Sequence, residues 1–140
     1  MSAEPSFFSD VLADTLSRGE SVRLRVQGVS MLPWLRDGDA VRIRPAAGRR
    51  IARGDIALFL RAPDRPILHR VVRVGRQDGQ TVLECLGDSE HGEPERVPAS
   101  AVLGVVDLSS WARAGYLAVN PARRFLNRWL SRKGIRLRHG

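Results

Sequence analysis

Between residues 21 and 108, apolar side chains recur at every second position in short runs, and glycine, proline or aspartate closes most of the runs. Successive side chains of a strand point to opposite faces, so a period of two marks a strand with one buried and one solvated face. Val22, Leu24 and Val26 alternate with Arg23, Arg25 and Gln27 until Gly28 ends the run. Residues 40–44 repeat the alternation and stop at Pro45, while residues 55–61 are more apolar and stop at the turn that follows. Residues 67–74 and 80–86 read as a hairpin, with Asp78-Gly79 as the turn. Residues 102–108 make a last strand. Short strands at regular spacing predict a mainly β body of coiled sheets.

Helical spacing appears only at the two ends. Phe7, Phe8, Val11, Leu12 and Leu16 fall on one face over residues 6–18, and Gly19 is placed to cap that helix. The helix is too short to be a helix-turn-helix domain. Asn120-Pro121 is a helix start, after which Phe125, Leu126, Trp129 and Leu130 share a face among arginines. The expected organisation is an amphipathic N-terminal helix at 1–20, a β domain at 21–108 and a basic helical tail at 109–140.

Charge and cysteine content narrow the classes. The net charge is +8, and eight of the 23 basic residues lie after Asp107, where no acid occurs. The excess therefore belongs to the tail, and a nucleic-acid-binding fold is not expected. The single cysteine, Cys85, excludes a disulfide within the chain and reads as a packed small hydrophobe. The longest apolar stretch, residues 97–119, is broken by Asp107 and Arg113, and the N-terminus opens with an acid in place of a positive region. The expectation is a cytoplasmic protein with neither a transmembrane segment nor a signal peptide. Three scattered histidines and one cysteine give no metal-ligand spacing, and no cofactor is expected.

Five local signals occur in order. They are Gly28-Val29-Ser30-Met31-Leu32-Pro33, Asp37-Gly38-Asp39, Gly54-Asp55-Ile56-Ala57-Leu58-Phe59, Leu68-His69-Arg70-Val71-Val72 and Gly87-Asp88-Ser89. In this order they resemble the signal peptidase I and LexA-like serine peptidase superfamily over residues 22–106, with the histidine-type signal peptidases of the endoplasmic reticulum and archaea nearest. The resemblance implies a LexA/signal-peptidase-like coiled β-sheet body and a serine endopeptidase. By it, Ser30 in the SM-x-P context is the nucleophile. Relatives divide between a lysine and a histidine base. This chain reads ILHRVV and has no lysine before Lys133, so resemblance and elimination both make His69 the base. A neutral imidazole can take the serine proton near pH 7 without the deep burial that a lysine needs.

A histidine base needs a carboxylate to fix its tautomer and stabilise the imidazolium. Asp88 matches the superfamily's G-D after the hairpin and is the expected partner. The alternative third member is Glu93, the acid nearest to where the histidine-type enzymes carry a further aspartate. The Ser30 backbone N–H is expected in the oxyanion hole. Relatives often add a side-chain hydroxyl two residues earlier, where this chain has Gly28. Met31 and Leu32, with Trp34, are expected in the substrate groove and core. Asp39 and Asp55 read as turn caps, and His91 as an exposed loop residue.

The expected partner is a peptide or protein precursor laid beside a sheet edge. Residues 121–138 suit either the surface of an anionic membrane or a docked helix with a solvated basic face. The rival from another class is a catalytically silent peptide-binding module of the same fold.

Overall fold

Alternation becomes pairing in a single seven-stranded sheet. In the computed structural model, which describes residues 4–62 and 64–108, helix α1 (Glu4–Ser17) precedes seven strands. These are β1 (Val22–Arg25), β2 (Ala40–Pro45), β3 (Ile56–Arg61), β4 (Arg65–Gln77), β5 (Gln80–Leu86), β6 (Glu95–Pro98) and β7 (Val102–Val106). Their order in the sheet is β1-β2-β7-β3-β4-β5-β6, and every neighbouring pair is antiparallel. The mainly β expectation holds, as does the N-terminal helix. The expected C-terminal helix and basic tail lie outside the described residues.

The strands sit close to where alternation put them, and the β4–β5 hairpin turns at Asp78 (φ 51°) and Gly79 (φ 77°), as that dipeptide favours. Two differences have physical causes. Strand β6 was not foreseen, because ERVP offers one buried apolar side chain, Val97; the strand is held by backbone pairing to β5, with Val97 opposite Leu83. β4 starts earlier and runs further than its apolar stretch, because its register with β3 and β5 continues into polar residues at both ends.

Both faces of the sheet are covered over much of their area. On one face Ala57, Phe59, Ile67, Val71, Leu83, Cys85, Val97 and Val102 form a buried cluster. On the other, α1 buries Leu12 and Leu16 and contacts β1, β2, β4 and β7, the strands that carry Leu24, Val41, Ile43 and Val106. α1 is also tied by Ser9, whose hydroxyl donates to the Asp64 carbonyl at 2.6 Å in the turn before β4. The end of α1 is marked by Gly19 at φ 82°, the left-handed cap expected there.

Gly104 lets β7 lie close to β2. A Cβ there would stand 2.5 Å from the Arg44 carbonyl oxygen and 2.6 Å from Ile43 Cγ2, both in a packed region. Gly104→Ala is expected to destabilise the fold by about 1–3 kcal/mol, the usual cost of overpacking, read from the midpoint of urea unfolding.

Candidate active site

The first segment to consider is the one that carries Ser30. β1 ends at Arg25, Val26 is held by an N–H bond to the Asp39 carbonyl at 2.8 Å, and Gly28 turns the chain at φ 86°. Asp37 fixes that turn, its Oδ1 accepting from the Gly28 N–H at 2.8 Å. Asp39 and Asp55 cap turns as expected, accepting from the N–H groups of Arg36 and Ala52 at 2.8 Å each. Met31 is buried at 2 % exposure and anchors the turn, leaving Ser30 half-buried.

The loop after β5 clamps the serine from the other side. The Ser89 N–H donates to the Ser30 carbonyl at 2.9 Å, and the Ser89 hydroxyl donates to the Val29 carbonyl at 2.8 Å. Gly87 makes the approach possible: a Cβ on it would lie 2.6 Å from the Ser30 oxygen and 3.0 Å from Ser30 Cβ. The same point is 2.9 Å from Glu90 Oε1. A Gly87→Glu90 turn, closed by a 2.9 Å backbone bond, folds that carboxylate back toward the serine.

His69 reaches the same place from β4. It is 4 % exposed, pairs across β3 with Ala57, and meets the Phe59 ring edge-on at 6.2 Å. Its Nε2 stands 3.3 Å from Glu90 Oε1. Its Nδ1 is buried and hydrogen-bonds to nothing among the described residues. Burial, the dominant influence, lowers the His69 pKa below 6.5; Glu90 opposes this and Arg61 adds to it. The imidazole is therefore neutral at pH 7 and able to accept a proton.

The expected carboxylates are placed differently. Asp88 grips Arg70 instead, with Oδ2 2.8 Å from Nη2 and Oδ1 3.2 Å from Nε, both side chains nearly fully buried. Arg70 also donates to the Gly54 carbonyl at 2.8 Å and lies 6.0 Å from the Trp34 ring centre. Glu93 is exposed and does not line the cavity that holds Ser30. Glu90, which the sequence reading passed over, is the acid beside His69. The one available signal was its position three residues after a glycine, within reach of a tight turn.

Ser30, His69 and Glu90 line one open cavity of about 790 Å³, together with Met31. Leu32 does not line it, so of the two expected groove residues Met31 alone is there. The Ser30 N–H donates to no acceptor among the described residues, which leaves it available to an incoming oxyanion. No hydrogen bond joins the Ser30 hydroxyl to His69; such bonds are commonly long until substrate is bound. The Cys85 thiol is fully buried and pushed up to about 12 by desolvation, which makes it a packing group.

A mainly β sheet that brings the Ser30 turn, the His69 strand and Glu90 to one cavity fits a protein of peptidase fold. The Peptidase S24-like family model matches residues 6–107, and the chain belongs to that family, part of the LexA/signal peptidase superfamily. No curated protein matches the chain. Among the described residues no helix is long and apolar enough to cross a membrane.

Two outcomes follow from the buried groups. Asp88→Ala leaves the Arg70 charge buried without its bidentate partner and is expected to cost about 3–5 kcal/mol in chemical denaturation. His69 has a lowered pKa, so below pH 6.5 the unfolded chain binds a proton that the native state refuses. Stability is expected to fall as pH drops through that range and to be indifferent to His69 above it. His69→Phe should flatten this part of the pH–stability curve.

Proposed function

We propose that the chain is a serine endopeptidase of the histidine-type signal peptidase kind, with Ser30 as nucleophile, His69 as general base and Glu90 as the carboxylate that orients His69. The observation that carries this reading is the way two unpaired strand edges open onto the cavity that holds these three residues. β1 is an edge strand with its outer side unpaired, and β4 pairs with β5 only from Arg70 onward, so 65–69 have a free side. Leu24 and Arg25 of β1, the segment 26–28 that continues it, and residues 65–69 of β4 line the cavity. An extended peptide laid between them would add a strand to each wall, its backbone supplying affinity and alternate side chains supplying selectivity.

The chemistry follows from the groups present. Ser30 Oγ attacks the scissile carbonyl while His69 takes its proton, and the Ser30 N–H donates to the oxyanion that forms. His69 then protonates the leaving amine, and water, deprotonated by the same imidazole, releases the acyl group from Ser30. Glu90 stabilises the transient imidazolium. It does so from a half-solvated position, with 44 % of its side chain exposed, so its effect is weaker than that of a buried aspartate. By resemblance, small residues flank the bond that is cut.

A second reading is a silent peptide-binding module, favoured by Gly28 in place of a hydroxyl and by the lack of a Ser30–His69 hydrogen bond. A serine-directed phosphonate probe separates the two. Labelling of Ser30 that disappears in His69→Ala supports the enzyme; peptide binding without labelling supports the module. For the enzyme, Ser30→Ala and His69→Ala should each lower cleavage of a peptide library by roughly 10³-fold or more. Glu90→Gln should lower kcat less, by about tenfold to a hundredfold, with the acid limb of the kcat/KM profile moved to lower pH as the imidazolium loses its stabiliser. Unchanged cleavage in the Ser30 and His69 variants would end this reading.

A further inference from the structure

The charge of the β body balances in total, with 15 basic and 15 acidic residues through Asp107, yet it is polarised along the chain. Between residues 21 and 53 there are eight arginines and two acids, Asp37 and Asp39. Both acids accept hydrogen bonds from backbone N–H groups in the turns beside Ser30.

Register places these arginines together. Cross-strand partners project to the same side of a sheet. Arg44 is opposite Val105, Val105 is opposite Ala57, and Ala57 is opposite His69. Steps of two along each strand then put Arg23, Arg25 and Arg42, and likewise Arg61 and Arg65, on the side of the sheet that His69 faces. Two of these pairs are directly opposed: Arg23 with Arg42, and Arg61 with Arg65. Like charges in that relation are destabilising. Glu95 offsets Arg61 at 2.8 Å, but among the described residues Arg23, Arg42 and Arg65 pair with no carboxylate.

The two pairs flank one end of the groove. β2 and β3 are both antiparallel to β7, so β1 and β4 run in the same direction. Each leads toward the reaction centre, β1 into Ser30 and β4 into His69. Their opening residues mark the far end, where Arg61 and Arg65 line the cavity against a single acid, Asp64. At about 3.3 Å per residue, Arg65 lies about 13 Å along the strand from His69, and Arg23 with Arg42 lies just past the groove's end.

We propose that this far end reads acidic side chains: the substrate is a peptide segment carrying Asp or Glu about four to six residues from the bond that is cut. The inference rests on the peptidase reading for the position of the bond, but not for the preference in charge. Edge arginines can also serve simply to keep a strand from pairing with other chains, and the test separates that role from recognition.

The probe is an alanine-based peptide set in which a single Glu or Lys moves one position at a time. With the wild-type chain, Glu is expected to exceed Lys in kcat/KM by about tenfold at one or two positions, through KM, and the advantage should shrink at high salt. In Arg65→Glu the Glu-to-Lys ratio should invert at the same positions, and in the double variant Arg23→Glu/Arg42→Glu it should fall at the position next outward. A ratio measured within each variant is independent of how much of that variant is folded. Glu and Lys equal at every position, or a wild-type ratio that survives Arg65→Glu, overturns the proposal. The same labelled peptides bound to Ser30→Ala, followed by fluorescence anisotropy, keep the two readings apart. Tighter binding of the Glu peptides with no cleavage by the wild type upholds the charge preference and removes the peptidase; cleavage without charge preference does the reverse.

Discussion

The bidentate contact between Arg70 and Asp88 is the constraint from which the arrangement of the site follows. It joins β4, which carries His69, to the loop after β5, which carries Ser89 and Glu90. Two charges held at 2–3 % side-chain exposure pay a large desolvation penalty, so the pair persists only with near-ideal geometry and further hydrogen bonds. The Gly54 carbonyl supplies one of these. With the loop so fixed, Ser89 holds the backbone of Val29 and Ser30 by two hydrogen bonds, and the turn that carries Ser30 is positioned from outside its own sequence. Gly87 completes the junction, because any side chain there would occupy the space shared by Ser30 and Glu90.

The electrostatics of His69 depend on the same junction. Burial between strands favours the neutral ring, and the Glu90 carboxylate works against it. The carboxylate comes from a loop that solvent reaches, whereas the carboxylate buried nearest the histidine strand is already committed to Arg70. The division gives the two acids separate duties: Asp88 builds the scaffold, and Glu90 is left to act on the imidazole. Motif position alone points to Asp88, because a G-D dipeptide marks the loop without saying which way its carboxylate turns; the carboxylate that stands beside His69 is that of Glu90.

Much of the fold was legible. Alternation located β1, β2, β3, β5 and β7 to within a few residues, and Asp78-Gly79 gave the hairpin turn, because period and turn chemistry are local properties. β6 escaped because a strand with one buried side chain has no period to read. Of the site, Ser30 and His69 were singled out by motif, and the capping duties of Asp39 and Asp55 by their turn contexts. The sequence also misled on charge. Counting through Asp107 suggested a neutral body, while the pairing of β1 with β2 and of β3 with β4 stacks arginine against arginine on one side.

What the linear order of residues settled, then, is the class of fold, every strand but β6, the serine turn and the histidine strand, since each is encoded by neighbours within a few positions. What only three dimensions decided is the identity of the carboxylate beside His69, the opening between two unpaired edges, and the grouping of arginines at the far end of that opening. These depend on strand order and register between segments far apart in the chain. No local rule specifies that β1 and β4 should run in the same direction, with three other strands between them in the sheet, yet that relation places Ser30, His69 and Glu90 around one cavity.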